Sequence, residues 1–292
     1  MSIQLYFSNR LENLAEKFAS TVDLENQHKK DIFKAPIVIV PNANLIKWLQ
    51  LMLARKRSVC MNMDFQFLEA GLWSLLANLD DEKLNPKLLN NDCLRMLLLY
   101  ALQNLDENKI ELKPITHYLL DPDNIKRPDY AARLWQLSEK FAGLFQEYEF
   151  HRWDMIQKWR QNKISLKGME LCQQKLYLLA DELRNKLFRN SETLYLSMME
   201  YADRVLAGES EEKAVAGNTK DFVHFFGLSQ ISPFHLQLIG RLSRYYEIFI
   251  YAFNPSREFW EDIKTPQEKR WIEPQKRAHS PLFAAGSFKK KE

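Results

Sequence analysis

Glycine is scarce in this sequence: there are eight in 292 residues, and none before Gly71. That scarcity favours helices over a many-stranded β fold. It also bears on nucleotide chemistry, because a phosphate loop needs glycines for close backbone approach and a Lys-Ser/Thr pair for phosphate and magnesium. No Gly-Lys-Ser/Thr occurs, so ATP binding by that mechanism is not expected. Cysteine is equally thin. Cys60, Cys93 and Cys172 are odd in number, far apart and outside any CxxC pair, which excludes a disulfide framework and a zinc site and leaves them as small interior apolar residues. The six histidines, His28, His117, His151, His224, His235 and His279, are scattered without an HExxH pair, so metal catalysis has no support. Apolar runs are broken by charge well before eighteen residues, and MSIQLYFSNR has no basic-then-apolar leader. Membrane insertion and secretion are disfavoured, and a cytoplasmic protein is expected.

An excess of one charge is lacking too. The net charge is +3, and residues 264–292 alone hold eight Lys/Arg against three Asp/Glu, leaving 33 against 35 in the remainder. A nearly neutral body lacks the broad basic field of a protein that binds duplex DNA by itself. The run Lys289-Lys290-Lys291 is expected to be a solvated end, with nucleic-acid contact as the alternative.

What is present reads as two groups of strands around a helical middle. Ile3 to Phe7 predicts an opening strand, followed by a helix capped at Ser8 or Asn9 with Leu11, Leu14 and Phe18 on one face. Residues 23–34 are polar and read as a loop. Ile37-Val38-Ile39-Val40, bracketed by Pro36 and Pro41, is the β-branched run of a strand buried on both faces. A helix capped by Asn42 or Asn44 follows, with Leu45, Leu49, Met52 and Leu53 on one side and Ile46 and Trp48 widening it. Strand, tight turn and helix N-terminus make the frame of a phosphate site, here with Pro-Asn-Ala-Asn in the turn. Residues 62–68 predict a further strand or extended segment, with Trp73 opening or inside the next helix.

From 88 to 207 the pattern is helical: Cys93 to Leu105, Tyr130 to Phe150, Trp153 to Gln161, Leu166 to Phe188 and Thr193 to Leu206. The stretch 106–129, with Pro114, Pro122 and Pro128, reads as a loop. Leu134, Leu137, Phe141, Leu144, Phe145 and Tyr148 step by three and four, the spacing of a core-facing helix, with base stacking by its aromatics as the alternative. Residues 207–220 read as a linker or exposed loop. Strands return at Phe222 to Phe226 and Glu247 to Phe253, with a turn at Ser229 to Pro233 and a helix through Leu236, Leu238, Ile239 and Leu242 between them. The expected architecture is α/β: residues 1–85 and 215–292 form one parallel-sheet domain from both chain ends, and 86–214 an inserted all-α domain.

Particular residues narrow this further. Tyr6-Phe7-Ser8-Asn9-Arg10-Leu11, Ile39-Val40-Pro41 with Lys47-Trp48-Leu49-Gln50, Asn62-Met63-Asp64-Phe65 with Trp73, Leu134-Trp135-Gln136-Leu137-Ser138, Gly227-Leu228-Ser229 with Pro233 and Leu236-Gln237, and Asn254-Pro255 with Phe259-Trp260-Glu261-Asp262-Ile263 come in a telling order. That order resembles the N-terminal, superfamily 1 helicase-like region of the RecC family, the gamma chain of exonuclease V in RecBCD helicase-nucleases. The resemblance implies an inactive helicase fold in a DNA-handling subunit, with no cofactor of its own. RecB-type and RecD-type partners would use ATP and magnesium. A second loss agrees with that expectation: a motor needs an Asp-Glu pair ending a later strand, whereas His224-Phe225-Phe226 runs into Gly227-Leu228-Ser229.

Family members split duplex ends, line the channel of the 3′-ended strand and help read the recombination hotspot Chi. The resemblance therefore implies single-stranded and forked DNA as ligands. It places the contacts at Pro41, Ala43 and Lys47, at Phe67 and Trp73, and at Leu144, Gln146, Glu147 and Arg152. Pro41 and Ala43 stand where the family has polar side chains, and Gly143 where it has an acidic one. Base reading needs such donors and acceptors, so a strand channel is expected without the family's own Chi preference. Two of these positions also have a plainer role: Trp73 as a core residue and Arg152 as a carboxylate's partner. Lys47, in the first turns of a helix whose amides already favour anions, suits a phosphate. The alternative function is a helical protein-interaction scaffold without direct nucleic-acid contact.

Overall fold

The computed structural model describes residues 3–28, 33–57, 60, 62–80, 86–106, 109–123, 125–161, 167–188, 194–206, 220–229 and 231–254. The linker at 207–219, the anchor at 255–263 and the basic stretch 264–292 lie outside them. The chain opens with β1 (Ile3–Ser8), α1 (Leu11–His28), β2 (Ile37–Val40), α2 (Ala43–Arg57), β3 (Asp64–Phe67) and α3 (Leu68–Leu79). Next come a two-residue strand β4 (Lys87–Leu88), α4 (Asn91–Gln103), a 3-10 turn (Ile110–Leu112), α5 (Lys113–Leu119), α6 (Tyr130–His151), α7 (Trp153–Arg160) and α8 (Gly168–Phe188). β5 (Tyr195–Leu196), α9 (Met198–Leu206), β6 (Phe222–Phe226), α10 (Pro233–Leu242) and β7 (Glu247–Phe253) complete the described chain.

Five strands form one parallel sheet in the order β1-β7-β6-β2-β3. Its centre is apolar on both faces, as the β-branched and aromatic runs predict: Val38, Ile39, Val40, Val223, Phe225 and Phe226 are fully buried. Each such side chain contributes about 1.5–3 kcal/mol. One face packs on α1 and α2 through Phe18, Leu49, Leu53 and Tyr251. The other packs on α3, α9 and α10 through Leu72, Leu75, Tyr201, Leu238 and Leu242. Helices α4 to α8 enclose a second core around Leu98, Phe141, Phe145, Trp159 and Leu176. Trp153 touches both the sheet's core and this second one.

The structure departs from the sequence reading in three places. α1 runs on to His28 through the expected loop, because its polar-looking end buries Val22 and Glu25, and Glu25 Oε2 lies 3.0 Å from His224 Nε2 inside the sheet's core. The proline-bearing stretch 106–129 holds the 3-10 turn and α5. Pro114 sits in the first helical turn, where a missing N–H costs nothing, and Leu112, Ile115 and Leu119 are buried,. The expected helix from Thr193 is replaced by β5, paired with β4, and then by α9. Ser197 and Glu200 start α9 by reciprocal hydrogen bonds, Ser197 N to Glu200 Oε2 at 2.8 Å and Glu200 N to Ser197 Oγ at 3.4 Å, a capping box,. Cys172 is buried as expected, while Cys60 and Cys93 are only half-buried. Among the described residues no helix is long and apolar enough to cross a membrane.

Candidate nucleic-acid interface at the carboxyl edge of the sheet

Strand order reverses between β2 and β6. The chain steps from β2 outward to β3, then resumes on the other side with β6, β7 and, beyond them, β1. The crevice outside the carboxyl ends at such a reversal is where open parallel sheets hold ligands. Its two walls here are the turn Pro41-Asn42 and the turn after β6 at Gly227.

Asn42, the cap among the two candidates, accepts a hydrogen bond from Leu45 N through Oδ1 at 2.9 Å. An amide that a phosphate would take is therefore already occupied by a side chain of the chain itself. Leu45 then points across the crevice onto Gly227. A methyl group at Gly227 would lie 2.5 Å from Leu45 Cδ2, and Gly227 has φ +69°, with its N–H donating to Tyr251 O at 2.9 Å. Glycine is required there twice over, by the left-handed backbone and by the approaching leucine. Behind this contact the Trp48 and Phe226 rings are 6.3 Å apart. The crevice is thus lined by carbon, and its helix amide is capped.

Around it, Pro41, Ala43 and Lys47 are exposed. Lys47 has no carboxylate partner among the described residues, so its ammonium is available to an anion. Phe67, ending β3, is 51% exposed. The chain's first glycine, Gly71, lets α3 approach β2: a methyl there would lie 2.7 Å from Ile39 Cδ1. Trp73, two residues further along α3, is half-buried and packs against the sheet's core, with its ring 4.7 Å from that of Tyr201. Trp73 is a core residue in this structure.

The α6 candidates divide in the same way. Leu144 packs against the second core. Gln146 lines a cleft together with Glu69, Glu149, Phe150, Ser197 and Phe234, which brings it close to the α3 start beside Phe67. Glu147 is exposed and lies 3.2 Å from His151. Arg152, exposed between α6 and α7, has no carboxylate partner among the described residues, which leaves the phosphate role open to it. The structure therefore leaves Pro41, Ala43, Lys47, Phe67, Glu147 and Arg152 exposed, holds Gln146 half-buried at the cleft, and packs the half-buried Trp73 and Leu144 against the two cores.

A buried ionic network beside the cleft is absent from the sequence reading. Arg184 Nη1 meets Glu200 Oε2 at 2.6 Å and its Nη2 meets Asp181 Oδ1 at 2.5 Å; Arg160 reaches Glu200 at 2.7 Å and Asp181 at 3.2 Å. Tyr177 OH donates to Glu149 Oε1 at 3.0 Å and accepts from Arg160 Nη2 at 3.0 Å. Burial and the nearby Glu200 charge push the Glu149 carboxyl up to about 7. Glu200 is buried too, but the hydrogen bond and charge of Arg184, with Arg160 beside it, hold it down at about 2. Periodicity carries a signal for Glu149, since it lies four residues after the core Phe145 on the inward face of α6. Nothing local signals its partners on α7, α8 and α9. Among the described residues no group of three or more His, Cys, Asp or Glu is placed to hold a metal ion.

Comparison with known proteins gives one family. The model for RecC, N-terminal domain, matches residues 3–287. The RecBCD enzyme subunit RecC of Escherichia coli strain K12 is 27% identical over 292 residues, 96% of this chain and 25% of that protein. The RecBCD enzyme subunit RecC of Haemophilus influenzae is 24% identical over 277 residues, 89% of this chain and 24% of that protein. The chain spans about a quarter of the length of these relatives.

Proposed function

Since the chain belongs to the RecC family, we propose that it is the N-terminal, DNA-handling part of a RecBCD-type helicase-nuclease acting in double-strand break repair and recombination. In this reading it is a helicase-like α/β domain with an inserted helical domain, and it has lost its motor. RecB-type and RecD-type partners hydrolyse ATP with magnesium and cut, while this chain helps split duplex ends, guides the 3′-ended strand and contributes to Chi reading. The observation that carries the proposal is the carbon-filled crevice: Leu45 rests on Gly227 where a motor places phosphate and magnesium.

Strand contact is assigned to the exposed residues and to Gln146 at the cleft. Lys47 and Arg152 meet phosphates, Phe67 offers a face for a base, and Gln146 and Glu147 present donors and acceptors beside it. Pro41 and Ala43 give contact without hydrogen-bonding information, so the preferred sequence differs from the family's. The test is co-purification of this chain, and of a full-length version, with a RecB-type subunit, followed by photo-crosslinking on a forked DNA end. Label at 41–47, at Phe67 or at 146–152, with no magnesium-dependent ATPase in the chain alone, is the expected result. ATPase activity abolished by Lys47→Ala would overturn the inactive-motor reading. A second reading, a protein-interaction scaffold, is favoured by the near-neutral body, and it would be supported by assembly without any label in these segments.

A further inference from the structure

Two guanidinium groups, Arg160 and Arg184, are shared between two carboxylates, Asp181 and Glu200. That set is balanced in charge. Glu149, 8% exposed, is a third carboxyl joined to it through Tyr177, and an ionised Glu149 would leave one buried negative charge without a cation. Uncompensated buried charge is costly, so the carboxyl either keeps its proton or moves toward water.

The route to water is present. Glu149 also lines the cleft shared by Gln146 and Ser197, whose space of about 20 Å³ suits a single water molecule,. Moving the carboxyl that way displaces the last turn of α6. There Phe150 packs on Phe234 at 5.2 Å and on His235 at 5.9 Å between ring centroids. The charged and titratable groups facing Glu149 are Arg160 on α7, Tyr177, Asp181 and Arg184 on α8, Glu200 on α9 and Glu69 on α3. His151 on α6 and His235 on α10 lie at the same joint.

We propose that Glu149 is a proton-operated latch: protonated, it closes the joint of α6 against α9 and α10, and on losing its proton it frees the end of α6. The latch does not depend on the strand-handling role, although α6 carries Gln146 and Glu147 in its last turns and Arg152 follows directly after it. A folded-state acid at about 7 against an ordinary 4.5 means that the closed form holds its proton where the open form has lost it, so opening rises with pH up to about 7 and then levels off.

Hydrogen exchange of residues 144–152 in the whole chain, corrected for intrinsic rates, is the test. Opening is expected to rise about tenfold between pH 6 and pH 8. Glu149→Gln should stay within about twofold over that range. Tyr177→Phe, which removes the bond that favours the ionised carboxyl, should move the levelling-off to higher pH. A flat profile in the unaltered chain would overturn the latch. So would a tenfold rise that survives Glu149→Gln and disappears in His151→Gln or His235→Gln, which would assign the proton to histidine instead.

Discussion

Replacing Gly227 by alanine tests the filled crevice directly. Two penalties add at this position. Holding a residue with a Cβ at φ +69° costs about 1 kcal/mol. The new methyl, 2.5 Å from Leu45 Cδ2, also forces a half-buried leucine out of place, an overpacking cost of about 1–3 kcal/mol. Gly227→Ala should therefore lose about 2–4 kcal/mol in urea unfolding followed by circular dichroism. Leu45→Ala alone should lose about 2 kcal/mol, at the low end for a leucine because the site is only partly buried. In the double variant the methyl occupies space the leucine has vacated, so the combined loss should fall short of the sum by about 1–2 kcal/mol. Strict additivity, or a Gly227→Ala loss below about 0.5 kcal/mol, would refute the contact. ATP should still fail to bind Leu45→Ala, since emptying the crevice restores neither the lysine nor the hydroxyl of a phosphate loop.

Other consequences are separately measurable. Arg184→Ala leaves Asp181 and Glu200 short of a buried cation and should cost about 3–5 kcal/mol in the same unfolding experiment. Glu200 is held at about 2 when folded against 4.5, so its contribution is fully present above pH 4.5 and is lost as pH falls toward 2. About 3 kcal/mol is at stake, and Glu200→Gln should flatten this acid limb of the stability profile. Trp73→Ala should lower stability by about 2 kcal/mol, because the indole packs on Tyr201. Lys47→Ala should change stability by less than about 0.5 kcal/mol and reduce the salt dependence of strand binding by about one phosphate. Equal stability losses from these last two would remove the distinction between core and interface.

The sheet was legible because its strands are short, continuous apolar runs between prolines, glycine and polar turns. Ile37 to Val40 and Phe222 to Phe226 match the observed strands residue for residue, and Asn42 caps α2 as read. What escaped depended on residues distant in sequence. Glu25 looks solvent-directed until His224 is brought to it across the sheet, and Pro114 looks like a breaker until it is seen to open a helix. β4 and β5 are two residues long and, among the described residues, pair with each other alone, too little for any periodic signal. Within the candidate interface the inward direction of Leu144 followed from its core-facing spacing, and Trp73 had a core role among its readings; the tertiary partners of both were out of reach. The ring that Trp73 packs on, Tyr201 of α9, lies far along the chain, where no local pattern reaches it.

The first strand of the sheet lies at its edge and, among the described residues, pairs with β7 alone, so that Ile3 meets Ile248. On a ribosome making 5–20 residues per second, β1 would wait roughly 10 to 50 s for that neighbour. Helices α4 to α8, whose contacts are nearer in sequence, can condense in the interval. Leu5 and Phe7 are 39% and 49% exposed even after folding. Vectorial synthesis thus leaves the edge strand β1 without its partner until β7 arrives.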